Sequence, residues 1–178
     1  VILSHSDCRA LCDHPRNVGD ELLRALAAQG GVLQINALPV SLVDAPGNRR
    51  TAAIAELLIR YKDSVFTPEE AAAEARDYTA VCAAHPNPAV TFDDFLRHIE
   101  HAVAVMGIDH VGIGSDFDGG GGVEGYNCAL EAINVTTELV RRGYTKEQIA
   151  KIWSGNLLRV LGEVEQTAKK LQAQSSAN

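Results

Sequence analysis

Apolar residues along this chain fall into two kinds of stretch, short unbroken runs and longer segments in which they recur every three or four positions. Val1-Ile2-Leu3-Ser4 is of the first kind and predicts a short buried strand. A polar loop follows from His5 to Asn17. Leu22, Leu23, Leu26 and Ala27 then repeat at helical spacing, which predicts a helix over residues 20–29 stopped by Gly30-Gly31. Residues 32–36 (Val-Leu-Gln-Ile-Asn) predict a second strand, followed by a loop containing Pro39, Pro46 and Gly47. Residues 50–63 carry Ala, Leu and Ile at helical spacing. Thr67-Pro68-Glu69-Glu70 is a helix start with a cap, a proline in the first turn and a glutamate three positions after the cap. That helix is expected to reach Ala84, where His85-Pro86-Asn87-Pro88 breaks it. Thr91 opens another, with Phe95, Ile99, Val103 and Met106 on one face and Gly107 at its close. Residues 110–114 predict a third strand, leading into Ser115-Asp116-Phe117-Asp118 and a glycine run at 119–122. The remainder is helical: Thr145 is a cap, a last helix spans residues 156–171, and the polar tail is expected to fray. Strands separated by helices predict βα units and a parallel sheet, in one domain over residues 1–172 with a tail at 173–178.

At 178 residues the chain is one ordinary domain, and 46% hydrophobic with 22% charged residues is the mix of a globular protein, which excludes disorder and collagen-like structure. No apolar run approaches the ~20 residues of a membrane-spanning helix. A net charge of -7 argues against a nucleic-acid partner. The basic pairs Arg49-Arg50, Arg141-Arg142 and Lys169-Lys170 read as solvated helix ends. Cys8, Cys12, Cys82 and Cys128 include no CxxC pair and are too sparse for a disulfide scaffold. Cys8 and Cys12 have the spacing of one helical face, and the cysteines leave the compartment open. The chain starts inside an apolar run, without an initiator methionine or a charged leader, and is therefore expected to be the C-terminal piece of a longer protein.

In βα architectures the working side chains stand where strands end. Those ends carry Ser4-His5-Ser6, Asn36 and Ser115-Asp116-Phe117-Asp118. His5 is a candidate metal ligand, or a histidine that only hydrogen-bonds at a loop start. Asp116 follows Gly112-Ile113-Gly114-Ser115, whose small residues admit a close-approaching ligand. A carboxylate there can hold a metal or take a proton from a metal-bound water; the alternative is a turn cap, a role that suits Asp118 better. Arg16 could grip a carboxylate with two hydrogen bonds, although a surface ion pair is the commoner use of such a residue. His14, His85 and His110 are weaker candidates, and His98 with His101 reads as a solvated helix edge. The glycine run is not a phosphate loop, because no Lys-Ser/Thr follows it.

Taken in order, Val1-Ile2-Leu3-Ser4-His5-Ser6, Arg16-Asn17, the run from Val111 to Gly119 and Gly155-Asn156-Leu157-Leu158-Arg159-Val160 resemble the renal (membrane) dipeptidase family through essentially the whole chain. The resemblance implies an α/β fold of which this chain is the C-terminal part, the last three strands and helices of a (β/α)8 TIM-like barrel with two zinc ions at its carboxyl-end mouth. It implies zinc-dependent hydrolysis of dipeptides via a metal-bridging hydroxide, with tolerance for a D-residue at the C-terminal position. By the same resemblance His5 binds one zinc, Arg16 pairs with the dipeptide's terminal carboxylate, and Asp116 contacts substrate and passes a proton to the leaving amine. The family's other zinc ligands would lie before Val1, so the N-terminal remainder of the enzyme is an expected partner, and a homodimer is left open. Three strands cannot close a barrel of about 250 residues. The run Asn36-Ala37-Leu38-Pro39 lacks the aromatic residues of some relatives, which leaves side-chain preference open. The alternative is a non-catalytic binding protein on the same scaffold.

Overall fold

The computed structural model describes residues 1–44, 49–62 and 67–176. Three strands, β1 (Ile2–Leu3), β2 (Val32–Ile35) and β3 (Val111–Ile113), form a parallel sheet in the order β1-β2-β3. Leu3 stands beside Leu33, Leu33 beside Val111 and Ile35 beside Ile113. The predicted alternation of strand and helix is therefore present. β1 is half-buried rather than buried, because it lies at the edge of the sheet, whereas Val32, Leu33 and Ile35 on the central strand are sealed from solvent.

The helices are α1 (Asp20–Ala28), α2 (Pro39–Leu42), α3 (Arg49–Tyr61), α4 (Pro68–Ala84), α5 (Phe92–Met106), α6 (Ala132–Arg141), α7 (Lys146–Ala150) and α8 (Asn156–Ser176). The three threonine signals hold. Thr67, Thr91 and Thr145 each accept from the amide three residues on, and that residue's side chain returns the bond to the cap amide. Pro39 opens the short α2 where a loop was expected, while Pro46, Gly47 and the predicted helix end at Asp63 lie outside the described residues. The last helix continues to Ser176, beyond its expected end near Leu171 and through most of the segment expected to fray. Among the described residues no helix is long and apolar enough to cross a membrane.

One face of the sheet is covered by α1 and α5, and the core gathers there around Leu23, Leu33, Ile35, Phe95, Ile99 and Val111. His98 belongs to this core. It is fully buried, so it is not the solvated edge that its spacing with His101 suggested. At three residues from Phe95 it falls on the apolar stripe of α5. Its Nδ1 accepts from the Cys8 amide at 3.0 Å, and its Nε2 reaches the Leu42 carbonyl at 2.9 Å. His101, one turn further, pairs with Asp20 on α1 at 2.8 Å.

The other face shows why β3 reads Gly-Ile-Gly. A Cβ on Gly112 would press on the Gln34 side chain, and one on Gly114 would sit 2.6 Å from the Ser4 carbonyl oxygen. These glycines make room for the chain itself rather than for a ligand. At the amino-terminal ends of the strands, Asn156 donates to the Ile108 and Val111 carbonyls at 2.7 and 2.8 Å, and Arg159 donates to the carbonyls of Gly30 and Asp109. The Gly155–Val160 motif thus fastens α8 to the end of the sheet away from the candidate chemistry.

Candidate active site

The loops that leave the carboxyl ends of all three strands meet. A cavity of about 340 Å³ is lined by His14 and Arg16 from the loop after β1, by Leu38 and Val40 after β2, and by Gly119 and Gly120 after β3. This is where a parallel sheet with helical crossovers presents its ligand-binding residues.

The loop after β1 is fixed by buried polar groups. Asp7 is fully buried and accepts from the Asn36 amide at 3.0 Å and from the Ser41 hydroxyl at 2.6 Å. Burial pushes its carboxyl up to about 7, against the pull of those two bonds and of Arg16. Asn17 donates to the Cys12 and Ser41 carbonyls, and its amide bonds the His14 carbonyl. His14, also buried, accepts from the Arg16 amide at Nδ1, so Nε2 carries the proton and donates to Thr51 on α3 at 3.0 Å. Burial, aided by Arg16 and Arg9, lowers the pKa of His14 and keeps it neutral. Cys8 and Cys12 are free, buried and outside any helix, Cys8 in a bridge to Val18. Burial raises both thiols, Cys12 to about 12, which disfavours the reactive thiolate.

His5, on the same loop, has Nδ1 hydrogen-bonded to the Ser4 hydroxyl at 2.8 Å, which leaves Nε2 as the nitrogen able to coordinate a metal. It does not line the cavity. Among the described residues no three His, Cys, Asp or Glu side chains gather as a metal site. The described residues thus offer His5 as a single possible ligand and do not by themselves assemble a metal centre. At the end of β2, the buried Asn36 Oδ1 has no hydrogen-bond partner among the described residues.

Asp116 stands out on the loop after β3. Its backbone is left-handed, φ 59° and ψ 31°, and among the described residues it is the non-glycine with positive φ. Such strain persists only where its surroundings over-determine it, and it concentrates at functional sites. Here the Asp116 carbonyl accepts from the amides of Gly119 and Gly121 at 2.9 and 2.7 Å, and the turn is tied to the β2 loop by Gly122 N–H to Ala37 O. The Asp116 carboxylate occupies the space that a Cβ on Gly119 would need. Arg16 is exposed, and its guanidinium makes no hydrogen bond or ion pair among the described residues.

Sequence reasoning singled out His5, Arg16 and Asp116, ranked His14 as a weaker candidate, noted Asn17 only beside Arg16 and missed Asp7; the last three brace the loop after β1. The structure brings Arg16 and the turn built on Asp116 to one cavity, and it places His5 at the end of β1, at the start of the loop that carries Arg16 and outside the cavity lining.

Comparison with known proteins agrees with this geometry. Residues 1–175 match the family model for membrane dipeptidase, peptidase family M19. The dipeptidase aclJ of Aspergillus oryzae is 30% identical over 96% of this chain and 31% of its own length; the dipeptidase ataJ of Aspergillus terreus is 31% identical over 99% of this chain and 33% of its own. The chain thus spans about a third of the curated relatives it matches. Among solved structures, the probable dipeptidase PvdM from Pseudomonas aeruginosa superposes with a TM-score of 0.70 at 32% identity, over 93% of this chain and 45% of that one. A metallo peptidase from Rhodobacter sphaeroides, liganded with a phosphinate mimic of the dipeptide L-Ala-D-Ala, superposes with a TM-score of 0.64 at 20% identity, over 90% of this chain and 35% of that one, a likeness of fold. A family match over residues 1–175, nearly the whole chain, makes this chain a member of the membrane dipeptidase family, peptidase family M19.

Proposed function

We propose that the protein to which this chain belongs is a zinc-dependent dipeptidase, and that the chain supplies its carboxylate anchor, its proton carrier and one metal ligand. What supports this most is the meeting of three post-strand loops, with Arg16 and the Asp116 turn on one cavity. Completing the parallel sheet into a (β/α)8 barrel, and the metal centre with it, falls to parts of the protein outside this chain, since His5 stands without companion ligands among the described residues. Two zinc ions, when bound, would supply an activated water and polarise the scissile carbonyl.

The chain's own groups then divide the work. His5 coordinates through Nε2, with the Ser4 hydroxyl fixing the ring. Arg16, unpaired within the described residues, takes the free carboxylate of the dipeptide with two parallel hydrogen bonds. An anchor for a free carboxylate favours a two-residue substrate, because a longer peptide bound in the same register would present an amide there instead. Asp116, pinned in its left-handed conformation, receives a proton from the attacking water and delivers it to the leaving amine. The experiment compares Arg16→Met with the wild type in the full-length enzyme, on a dipeptide and on its C-terminal amide. The expected result is a KM at least about tenfold higher for the free dipeptide, the worth of a charge-assisted pair, with the poor reaction of the amide unchanged. Equal losses on both substrates would refute the anchor.

A further inference from the structure

We infer that the cavity beside Arg16 is the pocket for the side chain of the substrate's carboxyl-terminal residue, and that its α3–α4 wall makes it selective for apolar side chains. This inference rests on the dipeptidase reading above and specifies it further. The wall is formed by Ile54, Ala55 and Leu58 of α3 and Tyr78 of α4, and Leu38 and Val40 continue it on the β2 loop. Leu58 is 52% exposed and Tyr78 45%, so apolar surface faces the opening rather than the core. The described lining residues include no aspartate or glutamate. They include two arginines, but Arg50 is committed, donating to the Cys82 and His85 carbonyls at 3.1 and 2.7 Å and so holding the end of α4 against α3. Arg16 is then the cation available to an anion in the cavity. One guanidinium beside an apolar wall fits a molecule with a carboxylate next to a hydrocarbon side chain, and about 340 Å³ is the small end of the ligand-pocket range.

The loop that carries the anchor is tied to the wall. His14 bonds the Arg16 amide through one ring nitrogen and Thr51 of α3 through the other, so a single buried ring links the Arg16 backbone to the helix that would receive the side chain. A substrate held by its carboxylate at Arg16 therefore presents its carboxyl-terminal side chain to α3.

The test uses the full-length, metal-loaded enzyme with Ala-Leu and Ala-Gly, in the wild type and in Leu58→Asp and Ala55→Phe. Both positions are exposed, so the variants keep the fold. The wild type is expected to favour Ala-Leu by at least about tenfold in kcat/KM, as a filled apolar pocket does, and both variants to reduce that preference to about threefold or less. A parallel titration measures binding of N-acetyl-leucine and N-acetylglycine, which needs no turnover; N-acetyl-leucine is expected to bind about tenfold tighter to the wild type and to lose that advantage in Leu58→Asp. Hydrolysis of both dipeptides without preference, or a preference that survives both variants, overturns the pocket and leaves the dipeptidase reading standing. Discrimination between the two acids with no hydrolysis of either dipeptide does the reverse.

Discussion

Replacing His98 with phenylalanine keeps the volume of a fully buried ring and removes both of its hydrogen bonds. The Cys8 amide and the Leu42 carbonyl would be left buried and unpaired. Each such orphan costs about 1–3 kcal/mol, so the loss near neutral pH should be about 4 kcal/mol. The same geometry sets a pH dependence. Burial pulls the His98 pKa down from 6.5 to about 4, with His101 and Arg97 adding to it and the Leu42 carbonyl and Asp94 opposing it. Protonating Nδ1 would also set an N–H against the Cys8 N–H. Above pH 6.5 the ring is neutral in both folded and unfolded chains and its contribution is complete. Between 6.5 and about 4 the unfolded chain takes up a proton that the folded one refuses, so stability falls as the pH falls, by about 3 kcal/mol over the window. Guanidinium unfolding of the full-length protein and of His98→Phe at pH 7.5 and pH 4.5 checks this. The gap between the two proteins should be about 4 kcal/mol at the higher pH and shrink by about 2–3 kcal/mol at the lower. A gap unchanged by pH, or one below about 1 kcal/mol at pH 7.5, would refute the reasoning.

Other consequences follow from the same contacts. Gly114→Ala places a methyl group 2.6 Å from the Ser4 carbonyl, beside His5; it should cost about 2 kcal/mol in denaturant titrations and lower turnover, and a variant as stable and active as wild type would contradict the packing. Asn156→Ala removes two bonds to the amino-terminal end of the sheet. It should cost about 2–3 kcal/mol yet leave kcat and KM of the folded enzyme unchanged, since that end carries stability rather than chemistry. Chelation should abolish dipeptide hydrolysis by the full-length enzyme and zinc should restore it; activity that persists through chelation and dialysis would count against the metal.

Much of the fold was legible because its signals are local. Thr67, Thr91 and Thr145 each announce a helix start through groups three residues apart, and β2 reads as a strand because Val32, Leu33 and Ile35, all buried, are interrupted only by the half-buried Gln34. His98 was misread for the opposite reason. Its partners, Cys8 and Leu42, lie far away in sequence, and a histidine on an apolar stripe looks the same whether its nitrogens meet water or backbone. The glycines of β3 suggested room for a ligand, and what fills the room is Gln34 and the Ser4 carbonyl, a matter of strand register. In the candidate site, His5 and Asp116 were singled out because their chemical types stand at strand ends, and Arg16 because it lies on the loop after the first strand. Asp7 could not be found in that way and His14 ranked low, since a buried carboxylate and a neutral histidine look from sequence like ordinary loop polarity. The left-handed backbone of Asp116 has no sequence signal beyond the glycines that follow it.

The central claim, that the loop after β3 delivers the proton-carrying group of a metal-dependent dipeptidase, is tested most directly by Asp116→Asn in the full-length enzyme, with turnover of a dipeptide and bound metal measured on the same sample. The asparagine can keep the turn and lacks the proton-accepting carboxylate. The account predicts turnover lower by about a hundredfold or more with metal content and KM close to wild type. Turnover within a few-fold of wild type, or a loss that merely follows a loss of metal, would contradict it.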